Sequence, residues 1–391
     1  MRTLMFTSVI AALVVFAPGA ARADDMAALR AELDALRADY EARIAALEER
    51  LAVAEQNVAQ ASYMAQQPAP AQQAADQAQQ GVTTGQPTSG DAAFNPAIGV
   101  VFQGALVGVE GDAVEGEGFA LGETEIIMSA NVDDKFAAYL TAALEFEDGE
   151  TEAAVEEAWV ETLAMPAGLS ARFGRMFSGI GYLNAKHRHT WDFADQALVY
   201  DAFLDGRYVD NGLQLRWLAP TDVFFELAGE VMQGEGDPSG LGAYTLFTNV
   251  GGDVGTDHSW LAGLSRLEQD AGQELSGAHL VWKWAPDGNW KDRNFIFQAE
   301  YLENRDLLTE TGWYAQAVFQ PIPRWRVGAR MDSLDLELDD PRRYTVMLDW
   351  SNSEFSRLRF QVGRNEDGLG SSNQWTLQYI HSIGAHGAHT F

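Results

Sequence analysis

Residues 357–362 read Arg357-Leu358-Arg359-Phe360-Gln361-Val362, and this alternation decides the fold. In an extended strand the side chains at i and i+2 share a face. Leu358, Phe360 and Val362 therefore line one side, and Arg357, Arg359 and Gln361 the other. The pattern recurs upstream. Leu213, Leu215 and Trp217 alternate with Gln214 and Arg216, while Phe136, Ala138, Leu140, Ala142, Leu144 and Phe146 oppose Tyr139, Thr141, Glu145 and Glu147. From residue 97 onward such segments follow one another, separated by turn residues. One apolar and one charged face, repeated in strands of about ten residues, is the signature of a transmembrane β-barrel. A soluble β-sandwich also alternates, but it does not set so much Trp, Phe and Tyr opposite a charged face.

Turn parity sets the strand count. Tight turns fall at 133–134, 165–168, 219–222, 285–289, 320–323 and 351–354, and acidic stretches lie between them at 110–117, 147–152, 268–274, 335–340 and 364–372. A division into fifteen strands leaves the tight turns on opposite membrane sides before and after residue 240. Taking 244–252 as a strand and Gly252-Asp253-Val254-Gly255-Thr256 as a seventh tight turn restores parity. The expected fold is then all-β, a 16-stranded antiparallel transmembrane β-barrel over 97–391 with both ends periplasmic. Sixteen strands leave an aqueous channel, whereas about eight would fill with side chains. The longest connection, from Met176 to Tyr208, follows the fifth strand, and a loop of that length in a compact domain is normally functional.

Working outward, residues 1–23 have the form of a signal peptide: Arg2, an apolar core from Leu4 to Phe16, and Ala21-Arg22-Ala23 as the cleavage site. Residues 24–56 read as a short α-helical coiled coil, with Leu29, Leu33, Leu36, Tyr40, Ile44, Leu47, Leu51 and Ala54 at spacings of four and three. The consecutive fours at Leu36, Tyr40 and Ile44 resemble a stutter. Residues 57–96 are rich in Gln, Ala, Pro, Gly and Thr and form a flexible, low-complexity linker. The chain has no cysteine, so it offers neither a disulfide framework nor a thiolate metal site. Its net charge of −31 argues against nucleic acid and anionic lipid surfaces as partners. There is no nucleophile elbow, no H-E-x-x-H and no phosphate-cradling glycine loop, so no enzyme is expected, and no cofactor.

From Arg172 to about Phe225 the chain resembles the phosphate-selective porin (OprP/OprO-like) family. The residues that carry the resemblance are Arg172-Phe173-Gly174-Arg175, Gly181-Tyr182-Leu183-Asn184 and the run from Leu213 through Pro220 to Asp222, with Ser382-Ile383-Gly384-Ala385-His386 near the end. The terminal Phe391 resembles the assembly signal of such barrels. The resemblance implies a homotrimer of sixteen-stranded porins in lipopolysaccharide-bearing outer membrane, some relatives carrying an N-terminal periplasmic coiled coil. It also implies that the 176–208 loop folds into the lumen as a constriction, bringing Tyr182, Lys186, His187, Arg188, His189, Asp192 and Asp195. Phosphate selectivity in that family rests on a ladder of basic residues. This chain has four lysines, Lys135, Lys186, Lys283 and Lys291, so the architecture carries over but the substrate does not.

Strand alternation assigns the lumen. Glu123, Glu125, Glu145, Glu157, Glu161, Glu226, Glu230 and Glu300 form an expected acidic wall. Arg172, Arg216, Lys283, Arg326, Arg330, Arg343, Arg357 and Arg359 form an expected basic wall. Acids early in the chain and bases mostly late imply walls of opposite charge; mutual neutralisation of a polar lumen is the simpler account. Acidic stretches at the mouth favour cations. His187 and His189, at i and i+2, could bind a divalent metal such as zinc with Asp192 or Asp195, and the plainer reading is a hydrogen-bonded loop. The expectation is passive diffusion of small hydrophilic solutes or ions. Zinc uptake through the histidine pair, or an envelope tether through the coiled coil, are the alternatives.

Overall fold

The computed structural model describes residues 96–384, apart from 111–117, 148–149, 235–239, 271, 307 and 369. The expected signal peptide and coiled coil, the expected linker up to residue 95, and Ala385, His386 and Phe391 lie outside the described residues. The described chain is a closed antiparallel barrel of sixteen strands. These are β1 (Ala97–Glu110), β2 (Gly118–Leu121 continued by Thr124–Asn131), β3 (Phe136–Glu147), β4 (Glu150–Thr162), β5 (Leu169–Phe177), β6 (Val209–Leu218), β7 (Phe224–Met232) and β8 (Ala243–Val254). There follow β9 (His258–Gln269), β10 (Glu274–Trp284), β11 (Asn294–Arg305), β12 (Thr309–Ile322), β13 (Trp325–Asp335), β14 (Arg342–Ser353), β15 (Ser356–Asp367) and β16 (Gly370–Gly384). Each strand pairs with its sequence neighbours, and β1 closes the ring on β16 in register from Gly99↔Gly384 to Glu110↔Asn373. Closure satisfies the ladder hydrogen bonds without a free edge, as lipid requires.

The alternation holds. Leu358, Phe360 and Val362 are 36%, 46% and 39% exposed on the outside, while Arg357, Arg359 and Gln361 are 6%, 0% and 5% exposed on the inside. The parity argument holds as well: β8 covers the strand that it required, and its turn sits slightly later, at 255–257. The outer surface carries an apolar band that includes Leu246, Leu264, Leu280, Val346 and Phe360. Near the turn end Trp217 packs on Phe225, Trp282 on Phe295 and Trp325 on Trp350. Tyr244, Tyr301, Trp313 and Tyr344 face outward nearer the other end. An apolar band between two aromatic girdles matches a bilayer's core and its two interfaces. The acidic stretches all fall at the end opposite the tight turns, in connections as short as 148–149 and 368–369.

Two irregularities bend the wall beside the interior segment described below. Phe102 and Gln103 on β1 stand opposite three residues, Gly122 to Thr124, between the paired stretches of β2. On β4 the pairing with β3 passes from Thr141↔Glu157 to Ala142↔Val155, leaving Glu156 as an extra residue. Such bulges kink a strand and re-aim side chains.

Candidate functional site

Residues 178–208 leave β5 and pack against the inward face of the barrel rather than projecting from its rim. The segment opens with a tight bend. Gly181 has φ +69°, and a Cβ there would collide with the Tyr200 hydroxyl, so both backbone conformation and space favour glycine. It contains one short helix, α1 (Leu198–Leu204), ended by Asp205 and Gly206 at positive φ. Ile180, Leu183, Val199, Tyr200, Phe203 and Leu204 join Met232, Leu267, Leu275, Leu302, Tyr314 and Leu334 of the strands in one buried apolar cluster. Burying each large side chain contributes roughly 1.5–3 kcal/mol, so apolar contact as well as hydrogen bonding holds the segment. Strand count alone predicts an open lumen. The segment and its cluster instead occupy part of the interior, where strand residues such as Leu267, Leu275 and Leu302 turn apolar side chains inward to meet it.

Hydrogen bonds tie the segment around the ring. Glu230 accepts from Ser178 Oγ at 2.5 Å and from the Gly179 amide at 2.9 Å. Glu300 on β11 is a hub. It accepts from the Tyr182 amide at 2.6 Å, the Leu183 amide at 3.0 Å, the Tyr200 hydroxyl at 2.8 Å and the Tyr314 hydroxyl. The Lys186 ammonium lies 4.9 Å from the Tyr182 ring centroid; burial pushes its pKa down, with Asp192 opposing.

On β13–β15 the segment meets arginines. Asp192 bonds Arg326 at 2.8 Å, and Asp195 bonds Arg330 at 2.8 Å and Arg343 at 2.5 Å. Burial would raise the Asp195 pKa, but Arg330, Arg343 and Gln361 hold it below the usual range. Asp332 completes the shell of Arg330 at 2.9 Å, and Asp349 receives Arg326 at 2.5 Å and Arg359 at 2.8 Å. Arg359 and Arg357 also donate to the Trp191 carbonyl at 2.7 and 3.4 Å.

On β2–β4 the segment meets carboxylates. His187 Nδ1 lies 3.3 Å from Glu125 Oε2 and 3.4 Å from Glu156 Oε2, and its Nε2 lies 3.0 Å from Glu157 Oε2. His189 Nδ1 is 2.7 Å from Glu125 Oε1, and the two imidazoles stack at 5.7 Å. Arg207 bonds Glu156 and approaches Glu123 at 3.9 Å; the half-exposed Arg188 stands 3.5 Å from Glu123. Burial alone would lower the His187 pKa. Tyr139 and the close carboxylates of Glu125 and Glu156 outweigh it and hold the pKa well above the ordinary imidazole value.

The sequence-derived residues therefore come together differently from their simplest grouping. Asp192 and Asp195 pair with arginines, not with the histidines. The basic set divides. Arg172 and Arg216 sit among the acids, bonded to Glu161 at 2.6 Å and Glu226 at 2.5 Å, and Lys283 lies 5.9 Å from the Trp290 ring on the turn side. The remaining five bases form a sector on β13–β15. It is parted from the acidic strands on one side by β16 and β1, whose buried inward residues include Val101, Gln103, Thr376 and Gln378. Glu145 lies in β3, with its side chain outside the described residues. Alternation missed Glu156, which faces inward because a bulge breaks the period there. It also passed over Asp332 and Asp349, whose inward parity in β13 and β14 was readable, and Arg207, which only the folded path of the segment reveals.

These features define a class: a sixteen-stranded transmembrane β-barrel of the porin fold with an internal segment after β5. No protein-family model matches the chain. Over 344 residues it is 32% identical to an uncharacterized protein of Aquifex aeolicus (strain VF5), covering 72% of each chain, and it belongs to the same family as that protein. Among solved structures it is similar to a loop L8 deletion mutant of OmpT, an outer-membrane protein of Vibrio cholerae. That match has a TM-score of 0.55 at 12% identity and covers 74% of this chain and 99% of the other. An anion-selective porin from Comamonas acidovorans matches with a TM-score of 0.55 at 10% identity, over 74% and 99%. In vitro folded OmpT in its trimer form matches with a TM-score of 0.52 at 10% identity, over the same shares.

Proposed function

We propose that the chain is an outer-membrane porin through which small hydrophilic solutes or ions diffuse passively, narrowed by the 176–208 loop. The observation that carries this reading is the segment inside the barrel, bonded to charged side chains of β2, β4, β7, β11 and β13–β15. A polar, charged interior beneath an apolar exterior offers a path for hydrated solutes and none for apolar ones. A lumen narrowed in this way favours small ions over bulky solutes. Acidic connections at the loop end raise the local cation concentration, so the reading includes a mild cation preference. The architecture of the phosphate-selective family suits the chain, with two-sided carboxylate neutralisation of its arginines in place of an anion ladder. One similar solved outer-membrane protein is a trimer form, which supports a homotrimer; the 24–56 coiled coil on the periplasmic side agrees with an even strand count.

Purified full-length protein in planar bilayers should give ion-conducting steps in groups of three, with a reversal potential of cationic sign in a potassium chloride gradient. Silent bilayers across salts and voltages would contradict a pore.

A further inference from the structure

We propose that Glu125, Glu156 and His187 form a binding site for one divalent first-row transition-metal ion, of which zinc is the representative, inside the barrel. One ligand atom from each lies within 4.8 Å of the other two. Glu125 Oε2, Glu156 Oε2 and His187 Nδ1 are all buried, and among the described residues they face one another without an aligned hydrogen bond. Buried polar atoms are nearly always satisfied. Three that are not, converging from two strands and an interior segment, mark a space shaped for an ion. The spacing fits. Bonds of about 2.0–2.1 Å arranged tetrahedrally put neighbouring ligand atoms roughly 3.3–3.4 Å apart, and Nδ1 lies 3.3 and 3.4 Å from the two carboxylate oxygens.

The partners of the same three side chains point to the same role. His187 Nε2 meets Glu157 Oε2 at 3.0 Å. A carboxylate on the far nitrogen fixes the tautomer that leaves Nδ1 free to ligate. Glu125 is held through its other oxygen by His189 at 2.7 Å, and Glu156 through its other oxygen by Arg207. The bulge at Glu156 has a purpose on this account, since it brings two successive glutamates inward, one as ligand and one as orienting partner. One imidazole with two carboxylates suits zinc, manganese or iron(II) better than a soft ion or calcium. Three protein ligands leave a position for water or a passing solute. A proton on His187 Nδ1 would compete for the same space. This set differs from the histidine pair with Asp192 or Asp195 that spacing suggested, because His189 orients Glu125 from outside. The site does not depend on the barrel conducting.

The test is titration calorimetry of zinc chloride into full-length, chelator-stripped protein in detergent, with folding of each variant checked by heat-modifiable migration. One ion per chain is expected, with at least a tenfold loss of affinity in Glu125→Gln and in His187→Ala. In Glu157→Gln the loss should be about 10–100-fold, as for other residues that orient a ligand. Asp339→Asn with Asp340→Asn, at the loop end, should leave the affinity unchanged. Equal zinc affinity in the wild type and in a folded Glu125→Gln or His187→Ala variant would overturn the proposal, as would no saturable binding by the wild type.

Discussion

On β13–β15, Arg326, Arg330, Arg343 and Arg359 meet Asp332 and Asp349 from the strands and Asp192 and Asp195 from the interior segment, with contacts of 2.5–2.9 Å. On β2–β4, Glu123, Glu125, Glu156 and Glu157 meet two histidines and two arginines; His189 and Arg207 make close contacts, the others lie at 3.0–3.9 Å, and carboxylate oxygens without an aligned hydrogen bond are left. The first sector neutralises its charge from within the chain. The second leaves acceptors pointing at one another. One segment bridges both, so the difference separates a structural clamp from a place equipped to take a cation.

The clamp is where disruption should cost most. Asp349 is fully buried between Arg326 and Arg359, with Arg357 3.8 Å away. Asp349→Asn leaves buried guanidinium groups uncompensated and should destabilise the barrel by roughly 3–5 kcal/mol, measured by urea unfolding in lipid vesicles. A loss under about 1 kcal/mol would mean that the sector is solvated and is not a clamp. A smaller effect is expected at the hub on the other side of the segment. Glu300→Gln keeps the shape but removes the charge that four donors share, and should cost about 1.5–3 kcal/mol while raising protease cleavage within 178–208. Unchanged cleavage would show that the apolar cluster alone holds the segment. The smallest effect should come from Arg343→Gln, whose side chain is 18% exposed and bonds Asp195. Its reversal potential should move by a few millivolts toward cation selectivity, and a shift toward anions would contradict the sector assignment.

Much of the barrel was legible in the sequence because lipid and lumen impose a period of two that no other environment imposes so strictly. Leu213, Leu215 and Trp217 outside and Gln214 inside follow it residue for residue. Parity located β8, since an odd strand cannot return the chain to the same side. The site was less legible for two physical reasons. Bulges break the period, so Glu156 reads as outward when counted from Glu157. The segment's course is set by long-range contacts, so its acids could not be assigned to Arg326, Arg330 and Arg343 from spacing. Its apolar residues carried a signal that charge-centred reading passed over. Val199, Tyr200, Phe203 and Leu204 recur at helical spacing and signal an interior anchor rather than an exposed loop.

The central claim is that this anchored segment narrows a conducting lumen. Single-channel conductance of Asp195→Ala combined with Glu300→Ala, set beside the wild type in the same bilayers, tests it most directly. That pair removes one anchor from each side of the segment. The account predicts a clearly larger conductance in the variant with the barrel still folded, and equal conductance would contradict it.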